Sequence, residues 1–233
     1  MTTGFPRSSK GVELTTALIG VGNTGSALAR HLVAGDEPVV LAAKDESHAE
    51  ALAQQLAPLA RASSVAYAIA SAKVVVFAVW LDTITELIAK DGGLLDGKVI
   101  VDPSNPLGFN ATGQMFRTLP DDQSAGSIGA SLLPAGAHYV KALGTLSAET
   151  LAGNADRTPH RAVLFHATDD DEAAATAERL IRAAGFDPFK VGSVAAALRI
   201  EMPGGDLHQY GMNDELLDLD EARTAIDPKE VPA

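Results

Sequence analysis

Apolar positions in this chain follow two alternating habits. Short unbroken runs, Leu14–Ile19, Val39–Ala43, Val74–Val79, Lys98–Val101, Tyr139–Leu143, Arg161–Ala167 and Phe189–Val191, read as strands, with Val65–Tyr67 as a short further one. Between them apolar residues recur every three or four positions, the helical spacing. Leu28 and Leu32 lie one turn apart in the helical pattern Ser26–Ala34, with Arg30 and His31 pointing outward and Gly35 as the stop. Ser47 and Glu50 have capping-box spacing for a helix that Pro58 ends, and Asp82 or Thr83 caps one carrying Ile84, Leu87 and Ile88 that Gly92 and Gly93 end. Helical segments also end at Leu133, begin at Ser147, and run from the acidic turn Asp169–Asp171 to Ala184. Strands that alternate with helices predict an α/β fold built on a doubly wound, mostly parallel sheet. The run Val74–Val79 has no polar interruption, as a central strand covered on both faces requires. Residues 1–11 read as a flexible leader, 12–193 as the main domain and 194–233 as a small C-terminal appendage that is helical or serves dimerisation. The long polar stretch Leu107–Ser124 reads as a substrate-side loop.

The first strand runs directly into Gly20-Val21-Gly22-Asn23-Thr24-Gly25, which opens the first helix. Each glycine has a separate physical task there. Gly20 turns the chain sharply, Gly22 lets a phosphate approach the backbone, and Gly25 lets the helix press on the strand. The helix then aims its free N–H groups and positive dipole end at a pyrophosphate. In a chain with 21 glycines such spacing arises readily, so the strand before it and the helix after it carry the assignment to a Rossmann dinucleotide-binding turn.

Composition narrows the choice of partner. Eighteen Lys and Arg against thirty Asp and Glu give a formal net charge of −12, which opposes nucleic acid and anionic membranes alike. Small molecules and other protein chains are the expected partners, and the cations that greet an anionic cofactor should be few and placed. With no cysteine there is no disulfide, thiol nucleophile or thiolate-held metal, so redox work requires a bound cofactor. No metal site is expected. The start of the chain lacks the apolar core of a signal peptide and the longest apolar run, Val74–Leu81, is too short to span a bilayer, which makes a cytoplasmic address the expectation.

Where the second strand ends, an acidic residue would take the ribose 2′-hydroxyl of NAD and a cation the 2′-phosphate of NADP. The chain offers Lys44 and then Asp45, so NADP is favoured and NAD stays open. Ala78, Val79 and Trp80, at the end of the central strand, are expected to line the adenosine and ribose side, with Trp80 as a lid or as core packing. After the fifth strand, Asp102-Pro103-Ser104-Asn105-Pro106 fixes the backbone with two prolines and presents the Asn105 amide where the nicotinamide is expected.

Together these segments resemble the NADPH-dependent deazaflavin (coenzyme F420) reductase family, NADP oxidoreductases that include the cytoplasmic domain of membrane ferric reductases. The resemblance rests on Ile19–Ala29, Val74–Val79, Val101–Pro106, and Tyr139–Ala142 with Thr145–Glu149, in the family's order. It implies a pyrophosphate on Gly20, Val21, Gly22, Asn23, Thr24 and Gly25, and a nicotinamide near Asn105, Pro106, Leu143 and Gly144. A homodimer is implied as well. The family places a Ser-Arg pair where this chain has Ala43-Lys44-Asp45, a proline where Trp80 stands, an Asn or His near Leu143, and a long apolar C-terminal helix absent from Ile200–Gly211.

The expected reaction is hydride transfer between a nicotinamide and a flavin-like, deazaflavin or small organic acceptor, with F420 or flavin as co-substrate. Such chemistry needs alignment more than a strong acid or base, because the reactive carbons belong to the cofactors. No residue is assigned as catalytic. The histidines at 31, 48, 138, 160, 166 and 208 are scattered and read as surface or strand-end residues, with His208 the foremost catalytic candidate among them. A non-catalytic dinucleotide sensor that regulates a partner uses the same turn and is the competing reading.

Overall fold

The computed structural model describes residues 16–226. The leader expected over 1–11 and the end of the chain beyond Ile226 lie outside these residues. The chain opens with β1 (Thr16–Ile19), α1 (Asn23–Ala34), β2 (Val39–Ala42), α2 (Glu46–Gln55) and β3 (Ala60–Ala62). It continues through α3 (Val65–Ser71), β4 (Val74–Phe77), α4 (Leu81–Asp91) and β5 (Val99–Asp102). A small hairpin follows, β6 (Leu107–Phe109) with β7 (Met115–Arg117), then α5 (Ala125–Leu132), β8 (His138–Lys141) and α6 (Ala148–Gly153). The last elements are β9 (Val163–Ala167), α7 (Asp171–Ala183), β10 (Asp187–Gly192), α8 (Ala197–Ile200) and α9 (Leu219–Ile226).

The main sheet has eight strands in the order β3-β2-β1-β4-β5-β8-β9-β10. The first six are parallel; β9 meets β8 antiparallel through the pair Lys141 and Ala167, and β10 runs parallel to β9. The direction of winding reverses between β1 and β4, so helices cover both faces. On one face Leu18, Val76 and Val101 pack under Leu28, Leu32 and Leu180; on the other Ile19, Phe77 and Ile100 pack under Ile69, Ile84 and Ile88. All four residues of β4 are buried, as its unbroken apolar run requires. A third cluster, Phe165, Ala167, Ile200, Leu207 and Ala222, fixes the segment beyond β10 against β9.

Local chemistry overrode several expected boundaries. Val65–Tyr67 begins α3, and the strand lies earlier, where Ala60–Ala62 pairs with Val39–Leu41. A strand at the sheet edge needs little apolar material, so this one was masked by the more apolar helix. Asp45, not Ser47, caps α2, its carboxylate accepting from the Ser47 N–H at 3.1 Å. Helix α4 begins one residue before Asp82, with Trp80 at its cap. The stretch 107–124 is no plain loop, because its middle folds into the hairpin. His31 turns back toward the protein, donating from Nε2 to the Leu151 carbonyl at 3.0 Å and packing edge-on against Phe186. His166 and His208 are buried rather than superficial.

Candidate functional site

The glycine turn sits where β1 ends, at the C-terminal edge of the sheet and at the winding reversal, the place where doubly wound sheets bind ligands. A methyl group placed on each glycine separates their tasks. On Gly20, which holds φ +100°, it would lie 2.4 Å from the Ala78 carbonyl oxygen; on Gly25 it would lie 2.0 Å from the Gly20 carbonyl oxygen. Both positions are closed by this chain's own backbone. On Gly22 the same methyl meets no protein atom within 4 Å. Gly22 caps α1 without any side-chain hydrogen bond, and no acidic residue stands in the helix's first turn. The N–H groups at Asn23 and Thr24 therefore open outward at the positive end of a twelve-residue helix. Ser26 stiffens the turn by donating its hydroxyl to the Val21 carbonyl at 2.7 Å. A diphosphate is the group this cradle fits.

Next to the cradle, Lys44 and Asp45 divide their work. Lys44 is exposed at the end of β2 and forms no hydrogen bond or ion pair with a described residue. Asp45 is committed to α2, accepting from both the backbone N–H and the hydroxyl of Ser47, and these bonds hold its carboxyl below the usual value. Among the described residues the cation has no partner and the acid is engaged.

At the far side of the cleft the loops after β4, β5 and β8 meet. Ala78 and Val79 are half-buried beside Gly20. Trp80 is 57% exposed and faces the hairpin strand β6, its ring 6.5 Å from that of Phe109 in an edge-on pair. It shares a cleft of about 340 Å³ with Asp82, Asn105, Gly108, Phe109 and Thr118. This puts Trp80, expected on the adenosine and ribose side, beside Asn105, because β4 and β5 are neighbours and their following loops converge. The Asn105 amide does not project freely. Its Nδ2 donates to the Gly144 carbonyl at 3.0 Å and its Oδ1 accepts from the Met202 N–H at 2.8 Å, tying three loops together. Pro106 is buried and receives the Thr118 N–H on its carbonyl. Leu143 is fully buried in the core, held at φ +68°, and a methyl on Gly144 would strike the Pro103 carbonyl oxygen at 2.2 Å. The Leu143–Gly144 turn can thus reach a ligand through Gly144 and its backbone, not through the leucine side chain.

Beneath these loops lies a buried ionic cluster that no sequence pattern announced. Lys141, at the end of β8, is within 3.2 Å of the Asp102 carboxylate and 3.7 Å of Glu201, and it donates to the Ser104 carbonyl. Glu201 is fully buried and accepts from the N–H groups of Ala125 and Gly126 at the start of α5. Burial raises the Glu201 pKa, with Lys141 pulling the other way. Tyr139 donates to Asp102 at 2.6 Å, and burial with that neighbouring carboxylate pushes its hydroxyl well above the ordinary range. The partners stand far apart in the chain, so spacing could not reveal them. His208 is also buried, and burial lowers its pKa to about 4; its Nδ1 accepts from the Tyr210 N–H at 3.3 Å. It is a neutral packing residue of the C-terminal segment. No group of metal-ligating side chains occurs among the described residues, and no described helix is long and apolar enough to cross a membrane.

A parallel sheet wound both ways, with a three-glycine turn opening a helix at the reversal, defines a Rossmann dinucleotide-binding domain. Residues 15–106 match the family described as NADP oxidoreductase, coenzyme F420-dependent. Metalloreductase STEAP3 of Rattus norvegicus is 31% identical over 184 residues, 79% of this chain and 35% of that protein. The chain thus spans about a third of the length of that curated relative. Among solved structures, a hypothetical protein from Sinorhizobium meliloti superposes with a TM-score of 0.76 at 28% identity, covering 88% of this chain and 95% of its own. A candidate F420-dependent NADP-reductase from Arthrobacter sp. FB24 superposes at 0.66 with 24% identity, covering 78% and 86%, and shows the shared fold.

Proposed function

We propose that this chain is an NADPH-dependent oxidoreductase that passes a hydride between the nicotinamide and a flavin-like, deazaflavin or small organic acceptor. The observation that carries the reading is the opening at Gly22 between two glycines closed by protein. When bound, the nicotinamide supplies the hydride chemistry. The chain's own part is to hold and orient. The N–H groups that start α1 receive the pyrophosphate, and Lys44, free beside an engaged Asp45, receives a 2′-phosphate, which favours NADP over NAD. The loops after β4 and β5 form the acceptor side. The homodimer implied by family resemblance belongs to this proposal, and light scattering of the purified protein checks it.

Titration with NADPH and NADH tests the reading. Binding in the micromolar range is expected for NADPH, weaker binding for NADH, and loss of both in Gly22→Asp, whose carboxylate would occupy the phosphate position. Failure to bind either dinucleotide would reject the proposal.

One observation favours a second reading, a non-catalytic sensor: both polar atoms of the Asn105 amide are spent on Gly144 and Met202. A sensor binds NADPH yet oxidises it with no flavin, deazaflavin or quinone, so turnover across such a panel separates the two.

A further inference from the structure

The cleft beside Trp80 has a chemical character that restricts its occupant, and the restriction concerns charge. Its wall is aromatic: Trp80 and Phe109 are both more than half exposed and set edge-on. Phe116, on the opposite strand of the hairpin, lies over Gly108, where a methyl would come within 2.9 Å of the ring. Large apolar side chains held in the open around a concavity of about 340 Å³ match the lower size range of small-molecule sites. With the Asn105 amide already bonded to Gly144 and Met202, the polar side chains left at hand are an acid and a hydroxyl. Neither the Asp82 carboxylate nor the Thr118 hydroxyl makes a hydrogen bond or ion pair with a described side chain or backbone group.

Among the described residues no cation lines this cleft. Arg117, the nearest one along the hairpin, has spent its guanidinium on the carbonyls of Pro120, Gln123 and Pro203. Lys141 lies buried below, held by Asp102 and Glu201. The positive end of α4 opens on the cleft, but Asp82 in its first turn already supplies the negative charge that end attracts. A ligand bearing a phosphate would meet a carboxylate with no counter-charge, in a chain whose net charge is already −12.

We infer that this cleft takes an uncharged planar aromatic ring as hydride acceptor and discriminates against the same ring carrying a phosphate. The inference rests on the oxidoreductase reading and narrows it to a substrate class. The reaction balances with what that reading supplies. The C4–H bond of the reduced nicotinamide breaks, its hydride carries both electrons and one hydrogen to the ring, water gives the other hydrogen as a proton and is left as hydroxide, and NADP⁺ and the dihydro ring leave.

Riboflavin and FMN share one ring system and differ by a phosphate, so they isolate the effect. With NADPH saturating, kcat/KM for riboflavin should exceed that for FMN by about tenfold, which is about 1.4 kcal/mol, the scale of a like charge beside a solvent-exposed carboxylate. Asp82→Lys should bring the ratio to unity or invert it. Trp80 is the chain's single tryptophan, so its emission reports occupancy without turnover: riboflavin should quench it saturably, and FMN should need about tenfold higher concentration for the same quenching. An FMN preference in the native protein, or a ratio unmoved by Asp82→Lys, would overturn the inference. NADPH binding is measured separately. Protein that binds NADPH but shows no riboflavin quenching refutes the cleft assignment alone, whereas protein that binds no NADPH refutes the oxidoreductase reading.

Discussion

The two ends of the cleft are built by opposite means. The phosphate end is made of one continuous stretch, β1 to α1, and its working parts are backbone: a carbonyl that forbids a side chain on Gly25, N–H groups at a helix start, and empty space at Gly22. The acceptor end is assembled from the loops after β4, β5 and β8 and from the segment beyond β10, joined by charged and amide side chains. A local device has a sequence signature because its spacing is its geometry. A device made of long-range contacts has none.

The largest expected effect separates the glycines. Gly25→Val should abolish folding, since even its first carbon would overlap the Gly20 carbonyl, while Gly22→Ala should keep native thermal stability and lose NADPH affinity. Circular dichroism melting beside NADPH titration reads both. Equal damage to stability in the two variants would contradict the division of tasks.

Next is the ionic cluster. Lys141→Met should cost about 3–5 kcal/mol in urea unfolding, because it strands two buried carboxylates. Adding Glu201→Gln should recover part of that loss while keeping an acceptor for Ala125 or Gly126. Strict additivity in the double variant would mean that Lys141 and Glu201 do not act as a pair.

A pH effect of intermediate size should also concentrate at the acceptor end. His208 has a folded value of about 4 against an ordinary 6.5, so the unfolded chain binds the extra proton between those values. Its contribution to stability is complete above pH 6.5 and is lost as pH falls toward 4, about 2 kcal/mol by pH 5. His208→Gln, which retains an acceptor for Tyr210, should flatten the fall by that amount. His166, held down to about 4 in β9 by burial, supplies a similar slope that the variant leaves in place.

The smallest effects sharpen the cofactor choice. Lys44→Ala should weaken NADPH by on the order of tenfold and leave NADH unchanged. Asp45→Ala should leave NADPH binding intact and cause only a slight loss of thermal stability through the start of α2.

The same contrast explains what could be read from the residues alone. Unbroken apolar runs predicted the covered parallel strands, and glycines flanked by a strand and a helix located the turn, because burial and backbone freedom leave local marks. Lys44 was visible as a strand-end cation, yet Asp45's engagement with Ser47 was not, since a cap and a ribose ligand are the same residue type at the same place. Ala60–Ala62 went unseen because an edge strand can be short and weakly apolar. Asn105 was found as a feature of its proline turn, while its use as a tie between Gly144 and Met202 depends on residues far along the chain. Lys141 and Glu201 follow the same rule: each is an ordinary charge until the fold brings the other to it.

Glu201 also bears on how the molecule comes into being. Every parallel strand of the sheet leaves the ribosome before this residue does, and until it arrives Lys141 has only the Asp102 carboxylate as its ionic partner and the amides of Ala125 and Gly126 lack their carboxylate acceptor. The start of α5 is therefore satisfied only once the segment beyond β10 has been made.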